Sequence, residues 1–241
     1  SMDQEVNDSG YIDKNGNITD IADYICSLEE QEPYLEDEAT LWVLHYQLVT
    51  MGQASIYNLV FNDLRKEKIE FTKDNFLSFA ERKATEFGFS QFNKKTVSTD
   101  FDVLTKMYIR TTEQVKDKED TFSGLLTDLN LIQEEKKTNS SYSIPNDYRN
   151  NLPEEIILYA ILDNNNFQNS ISLNTLFQDR NQAGSVFAIT KNALMEKLES
   201  ISKNPAFRDY GITLSDHAGI KELQFTSKPN KFDVLNHYYG R

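Results

Sequence analysis

A chain of 241 residues and 27.9 kDa, 39% hydrophobic and 12% aromatic, holds enough apolar material for one large core or two ordinary ones, which excludes global disorder. No apolar run reaches the roughly 18 residues of a membrane span, the start is polar and acidic rather than a secretory leader, and the single cysteine, Cys26, excludes an internal disulfide and fits a reducing cytoplasm. The net charge of −13 argues against a polyanionic partner only until it is mapped: twelve Asp/Glu and one basic residue, Lys14, fall in residues 1–40, leaving the remainder at −2.

Residues 1–32 read as an acidic N-terminal segment, the remnant of an upstream unit. Ser1-Met2 has the look of a tag remnant, which implies that the natural chain begins earlier. Tyr11 and Ile12 before Asn15-Gly16, with Ile18 after it, suggest the tail of a hairpin. Thr19 is placed to cap a short helix whose inner face is Ile21, Ala22, Tyr24, Ile25 and Leu28, with Cys26 as a packing residue.

A unit spanning 33–150 follows, organised around the stretch from Pro33 to Asn62. It holds the only tryptophan, Trp42, with Leu41, Leu44, His45 and Leu48 at helical spacing. Glu36, Asp37 and Glu38 lie where negative charge suits a helix N-terminus. After Gly52 a second apolar run (Ile56, Leu59, Val60, Phe61, Leu64) completes a helical hairpin, with His45 as a hydrogen-bonded core residue. Thr72 opens a helix with Phe76, Phe79, Ala80 and Phe87 inward, ended by Gly88. The next helix carries Val97, Phe101, Leu104 and Tyr108 inside and begins with Lys94 and Lys95 among Thr96, Ser98 and Thr99. Two helices joined by a glycine turn, the second basic at its start, have helix-turn-helix order; two packed amphipathic helices with solvated lysines account for the same pattern. Phe122, Leu125, Leu126 and Leu129 suggest a further helix, and Leu131-Ile132 with Tyr142–Ile144 two short strands around a polar tip. The stretch from Ile144 to Pro153 reads as a linker.

The unit 151–241 repeats this order. Pro153 opens a helix carrying Ile156, Ile157, Tyr159, Ala160 and Leu162, Ser172 caps a short one, Gly184 interrupts the chain, and Thr190 caps a helix with Leu194, Leu198 and Ile201 inward. Two alternating runs, YGITLSD and IKELQFTS, flank the turn His217-Ala218-Gly219, and KFDVLNHYY closes the chain as a helix. The expected fold is therefore mainly α (α+β), with tandem winged-helix-like units and small β-hairpin wings.

Several chemistries are absent from the pattern. The glycines form no dinucleotide or phosphate loop, and no G-x-S-x-G elbow occurs. One Cys and three scattered His residues make no zinc cluster. Glu36, Asp37 and Glu38, or Asp100 and Asp102, are carboxylates of the kind magnesium uses, although caps and surface charge explain them as well. No metal ligand and no catalytic residue is assigned. The candidate nucleic-acid contacts are Lys191, Asn192 and Lys197 on the third helix of the last unit, Lys221 and Lys228 on its hairpin, and Lys94 and Lys95 in the first unit. Residues 190–241 carry eight Lys/Arg against six Asp/Glu, a modest excess.

Pro33-Tyr34-Leu35-Glu36-Asp37, Thr40-Leu41-Trp42, Leu44-His45, Ile56-Tyr57 and Val60-Phe61-Asn62 form a stretch that resembles a known family. FTKDNFLSF and the spacing of Thr96, Asp100, Leu104 and Tyr108 fit it too. This is the uncharacterised-domain family that includes the SspB-type component of bacterial DNA phosphorothioation systems. The resemblance runs from about residue 10 to the C-terminus and is strongest over 30–110, and in that family a further segment precedes this point. It implies a cytoplasmic, DNA-acting component of a phage-defence system, with DNA, a cysteine desulfurase and an ATPase or sulfur-transfer protein as partners. It also implies an association with DNA nicking, without a catalytic motif to place on these residues. The rival expectation is a non-catalytic adaptor or scaffold of the same machinery, its acidic end binding a basic partner.

Overall fold

Trp42 is fully buried, and the helix that carries it has no polar face: α2 (Glu38–Thr50) buries ten of its thirteen residues, so it is a central helix with neighbours on all sides. The computed structural model of the chain describes residues 19–28, 37–50, 55–89, 91–110, 124–136, 140–164, 167–217 and 219–240. It is mainly helical with small antiparallel sheets, and it divides into two units, Ser1–Pro145 and Asn146–Arg241. The expected hairpin tail around Tyr11 and Ile12 lies outside the described residues.

In the first unit, α1 (Asp20–Cys26) precedes α2, whose start is held by Asp37: its Oδ1 accepts from the Ala39 N–H at 2.8 Å. Next come α3 (Ser55–Leu59), a π-helical turn at Val60–Leu64 and α4 (Arg65–Glu67). Strand β1 (Glu70–Thr72) runs straight into α5 (Lys73–Glu86), where Thr72 and Asn75 form a reciprocal capping box. Helix α6 (Lys94–Tyr108), a short 3-10 turn at Thr127–Leu129, and strands β2 (Gln133–Glu135) and β3 (Ser141–Ser143) complete it. The strands lie in the order β1-β3-β2, with Tyr142 opposite both Phe71 and Glu134. Inside, His45 Nδ1 and the Tyr108 hydroxyl share a hydrogen bond of 2.7 Å between two fully buried side chains, with Phe61 stacked edge-on against His45. Burial pushes the Tyr108 phenol well above its ordinary value.

The second unit begins with a tied-down segment. The Asp147 N–H donates to Ala188 O at 3.0 Å, and the Thr190 N–H donates to Asp147 O at 2.9 Å. Arg149, itself buried, donates through Nε to the carbonyls of Phe187 and Ala188. Helix α7 (Glu154–Asp163) is buried along most of its length beneath α11 (Lys231–Tyr239), and Lys231 pairs with Asp163 at 2.7 Å. Between them lie β4 (Ser170–Ser172), α8 (Leu173–Gln178), α9 (Ala183–Val186), α10 (Lys191–Lys203), a 3-10 turn at Pro205–Tyr210, β5 (Thr213–His217) and β6 (Ile220–Gln224). The strand order is β4-β6-β5, the same arrangement as in the first unit.

Several expectations need correction. Cys26 is exposed, because the buried stripe of α1 runs through Ile21, Ala22 and Leu28 and passes beside it. Phe87 is 62% exposed: it ends α5, where the chain turns through Gly88 at φ +76°, and so leaves the inner face. No helix covers 124–129; only a 3-10 turn forms, and Leu125 is exposed. The strands of the first unit sit at Gln133–Glu135 and Ser141–Ser143 rather than at Leu131-Ile132 and Tyr142–Ile144, because Leu131, Ile132 and Ile144 are buried beside the sheet. Gly184 does not break the chain but lies inside α9, where the backbone of Phe177 comes so close that a Cβ would collide with its carbonyl oxygen.

Candidate nucleic-acid interface

Helix α10 starts where three constraints meet. Thr190 caps it, its Oγ1 accepting from the Ala193 N–H at 3.2 Å. The backbone of Thr190 is held by Asp147, and Ala193, Leu194, Leu198 and Ile201 anchor the inner face. The first-turn residues Lys191 and Asn192 are thereby turned outward and exposed. Facing them are the start of α8, capped by Ser172, and the start of β6. These elements enclose an open pocket of about 610 Å³, lined among others by Asn174, Lys191, Asn192, Met195, Ile220 and Lys221.

Three of the residues singled out in the sequence, Lys191, Asn192 and Lys221, therefore share this pocket. The Lys191 ammonium donates to Asn174 Oδ1 at 2.7 Å, and that of Lys221 lies 3.1 Å from Met195 Sδ. Both are light tethers on exposed or half-buried chains. Lys197 and Lys228 are not brought to the pocket. Lys197 turns inward and donates to Leu152 O at 2.5 Å, and loss of hydration lowers its pKa despite Glu154, Glu155 and Glu196 nearby. Lys228 donates to Phe167 O at 2.5 Å with its ammonium 4.0 Å from the centre of the Phe167 ring. The outer face of α10 turns acidic beyond its first turn, with Glu196 exposed and Glu199 beside Lys203.

The first unit has a comparable start at α6. Asn93 caps it, Oδ1 accepting from the Thr96 N–H at 3.1 Å, and Lys94 and Lys95 stand exposed with no side-chain partner among the described residues. Lys73 nearby is neutralised by Asp102 at 2.7 Å. Asn174, Met195 and Ile220 were not singled out in the sequence. Only Asn174 left a trace there, two residues past the Ser172 cap. Among the described residues no three His, Cys, Asp or Glu side chains gather as a metal-binding group, and no helix is long and apolar enough to cross a membrane.

Comparison with known proteins gives two kinds of match. The family described as "Protein of unknown function (DUF4007)" matches residues 4–239. Two solved structures superpose on the chain with a TM-score of 0.75 each: one of SspB, at 26% identity, and one of magnesium ion-bound SspB, at 27%. Each match covers 86% of this chain and 62% of the SspB chain, so the sequence spans less than two thirds of that protein. No curated protein matches the chain.

Proposed function

The chain belongs to the DUF4007 family, and on that premise we propose that it is a DNA-binding component of an SspB-type phosphorothioation and phage-defence system. In this reading each unit is a winged helix. What supports it is the element order from α4 in the first unit and from α7 in the second, helix, strand, helix, helix, strand, strand, with the first strand paired to the last in both units and the short α9 inserted in the second. The observation that carries the reading is the pocket at the start of α10, where Lys191 and Lys221 flank an outward first turn. Backbone phosphates suit that position, since lysine acts as a point charge and the helix start favours anions. Lys94 and Lys95 give α6 an equivalent edge. The same proposal takes a cysteine desulfurase and an ATPase or sulfur-transfer protein as partners, in the cytoplasm.

Strand nicking is the finer proposal, resting on resemblance and on the magnesium ion bound in one of the matched SspB structures. A gel-shift assay at low salt, with plasmid relaxation measured with and without magnesium, separates the cases. Retarded DNA without relaxation leaves a binding subunit, and relaxation only with magnesium adds the nicking activity. A second reading, a protein adaptor, is favoured by the carboxylates Glu196 and Glu199 on the outer face of α10. DNA that is not retarded at any salt concentration decides for it.

A further inference from the structure

The pocket at the start of α10 contains a polar side chain, Asn192, that no other described residue engages. Ser172 bonds to Thr175, Asn174 holds Lys191, and Lys221 rests against Met195. Asn192 is exposed on the second position of α10 and makes no side-chain hydrogen bond among the described residues. Its carboxamide thus offers a donor and an acceptor side by side. The same pocket is lined by Ile220, 58% exposed, an apolar side chain whose exposure folding does not explain.

We propose that Asn192 and Ile220 make this pocket a reader of an A·T base pair. The inference rests on the nucleic-acid reading above and adds a sequence preference to it. In the major groove adenine presents an N7 acceptor next to an N6 donor, which a carboxamide matches with two hydrogen bonds. Its partner thymine presents a C5 methyl group, which calls for an apolar contact. A G·C pair offers neither feature: guanine shows two acceptors, and cytosine a donor without a methyl group. The two cations at the pocket supply charge toward the phosphates, leaving discrimination to the uncharged pair. The acidic turns further along α10 confine the contact to its first turn, so a single base pair is read.

The test uses the full chain and a library of random duplexes. Bound duplexes should share an A·T pair at one position, and selection with Asn192→Ala should lose that position. With the unaltered protein, 7-deazaadenine there removes the N7 acceptor and should weaken binding roughly fivefold or more. Deoxyuridine in place of thymine removes one methyl group and should cost about fourfold. Ile220→Ala should abolish the deoxyuridine effect and leave the 7-deazaadenine effect. Duplexes retained without any A·T preference, or a preference unchanged in Asn192→Ala, overturn this inference and leave DNA binding standing. No duplex retained at low salt overturns both.

Discussion

Replacing Tyr108 by Phe tests whether the polar pair inside the first unit holds its helices together. The change removes one oxygen and keeps the ring, which packs 5.5 Å from the Phe61 ring and 5.6 Å from His45, so no cavity of consequence opens. What is lost is the 2.7 Å bond to His45 Nδ1, in a site where neither side chain meets water. Leaving a buried polar atom without that partner costs about 1–3 kcal/mol, whereas an exposed bond would be exchanged for water at little loss. Trp42, whose ring lies 5.9 Å from His45, is the only tryptophan and so reports on this unit alone. With a urea slope of about 2 kcal/mol per molar, a loss of about 2 kcal/mol lowers the fluorescence midpoint by about 1 M at unchanged slope. A cycle with His45→Phe should return a coupling of about 1 kcal/mol or more. A midpoint unmoved by Tyr108→Phe would refute the claim that this bond couples α6 to α2.

Other outcomes follow from named contacts. Lys197→Met should leave the salt dependence of DNA binding unchanged, since that ammonium faces Leu152 O rather than solvent, while lowering thermal stability by about 1 kcal/mol for the lost bond. Gly184→Ala pushes a Cβ against the Phe177 backbone and should destabilise the second unit by about 1–3 kcal/mol, read by calorimetry. Tyr108, by burial, and Tyr57, by burial and then by Asp100, both have raised pKa values, so the unfolded chain ionises first. Their contribution is complete below about pH 10 and declines above it, by about 1.4 kcal/mol per pH unit for each tyrosine kept protonated. Urea midpoints measured at about pH 9 and about pH 11 should therefore fall less steeply in Tyr108→Phe than in the parent.

Much of the fold was legible because the helix starts carry their own signals. Thr72, Ser172 and Thr190 each accept the backbone N–H that a cap accepts, and the buried residues of α10 follow helical spacing, while α7 reads as an unbroken apolar run. The strands β1 and β4 were not legible. Each is three residues long and runs directly into a cap, so no alternation develops, and their partners lie far along the chain in β3 and β6. The site was legible in part. Lys191 and Asn192 could be placed from the cap, and Lys221 from the hairpin. Lys197 follows Lys191 by six residues, about 240° around the helix, which carries it away from the pocket. The engagement of Lys228 with Phe167 had no local signal, since the two are 61 residues apart.

Binding across a salt series shows whether DNA phosphates meet the start of α10 and the β6 lip. Gel-shift or anisotropy titrations from about 50 to about 200 mM salt give the slope of log affinity against log salt. Each lysine that neutralises one phosphate contributes about 0.9 to that slope, so Lys191→Ala with Lys221→Ala should flatten it by nearly two units. This loss is expected with two unrelated duplexes alike, because in this reading the lysines hold the backbone rather than the bases. A slope identical to that of the parent protein would contradict it and move the surface to Lys94 and Lys95 on α6.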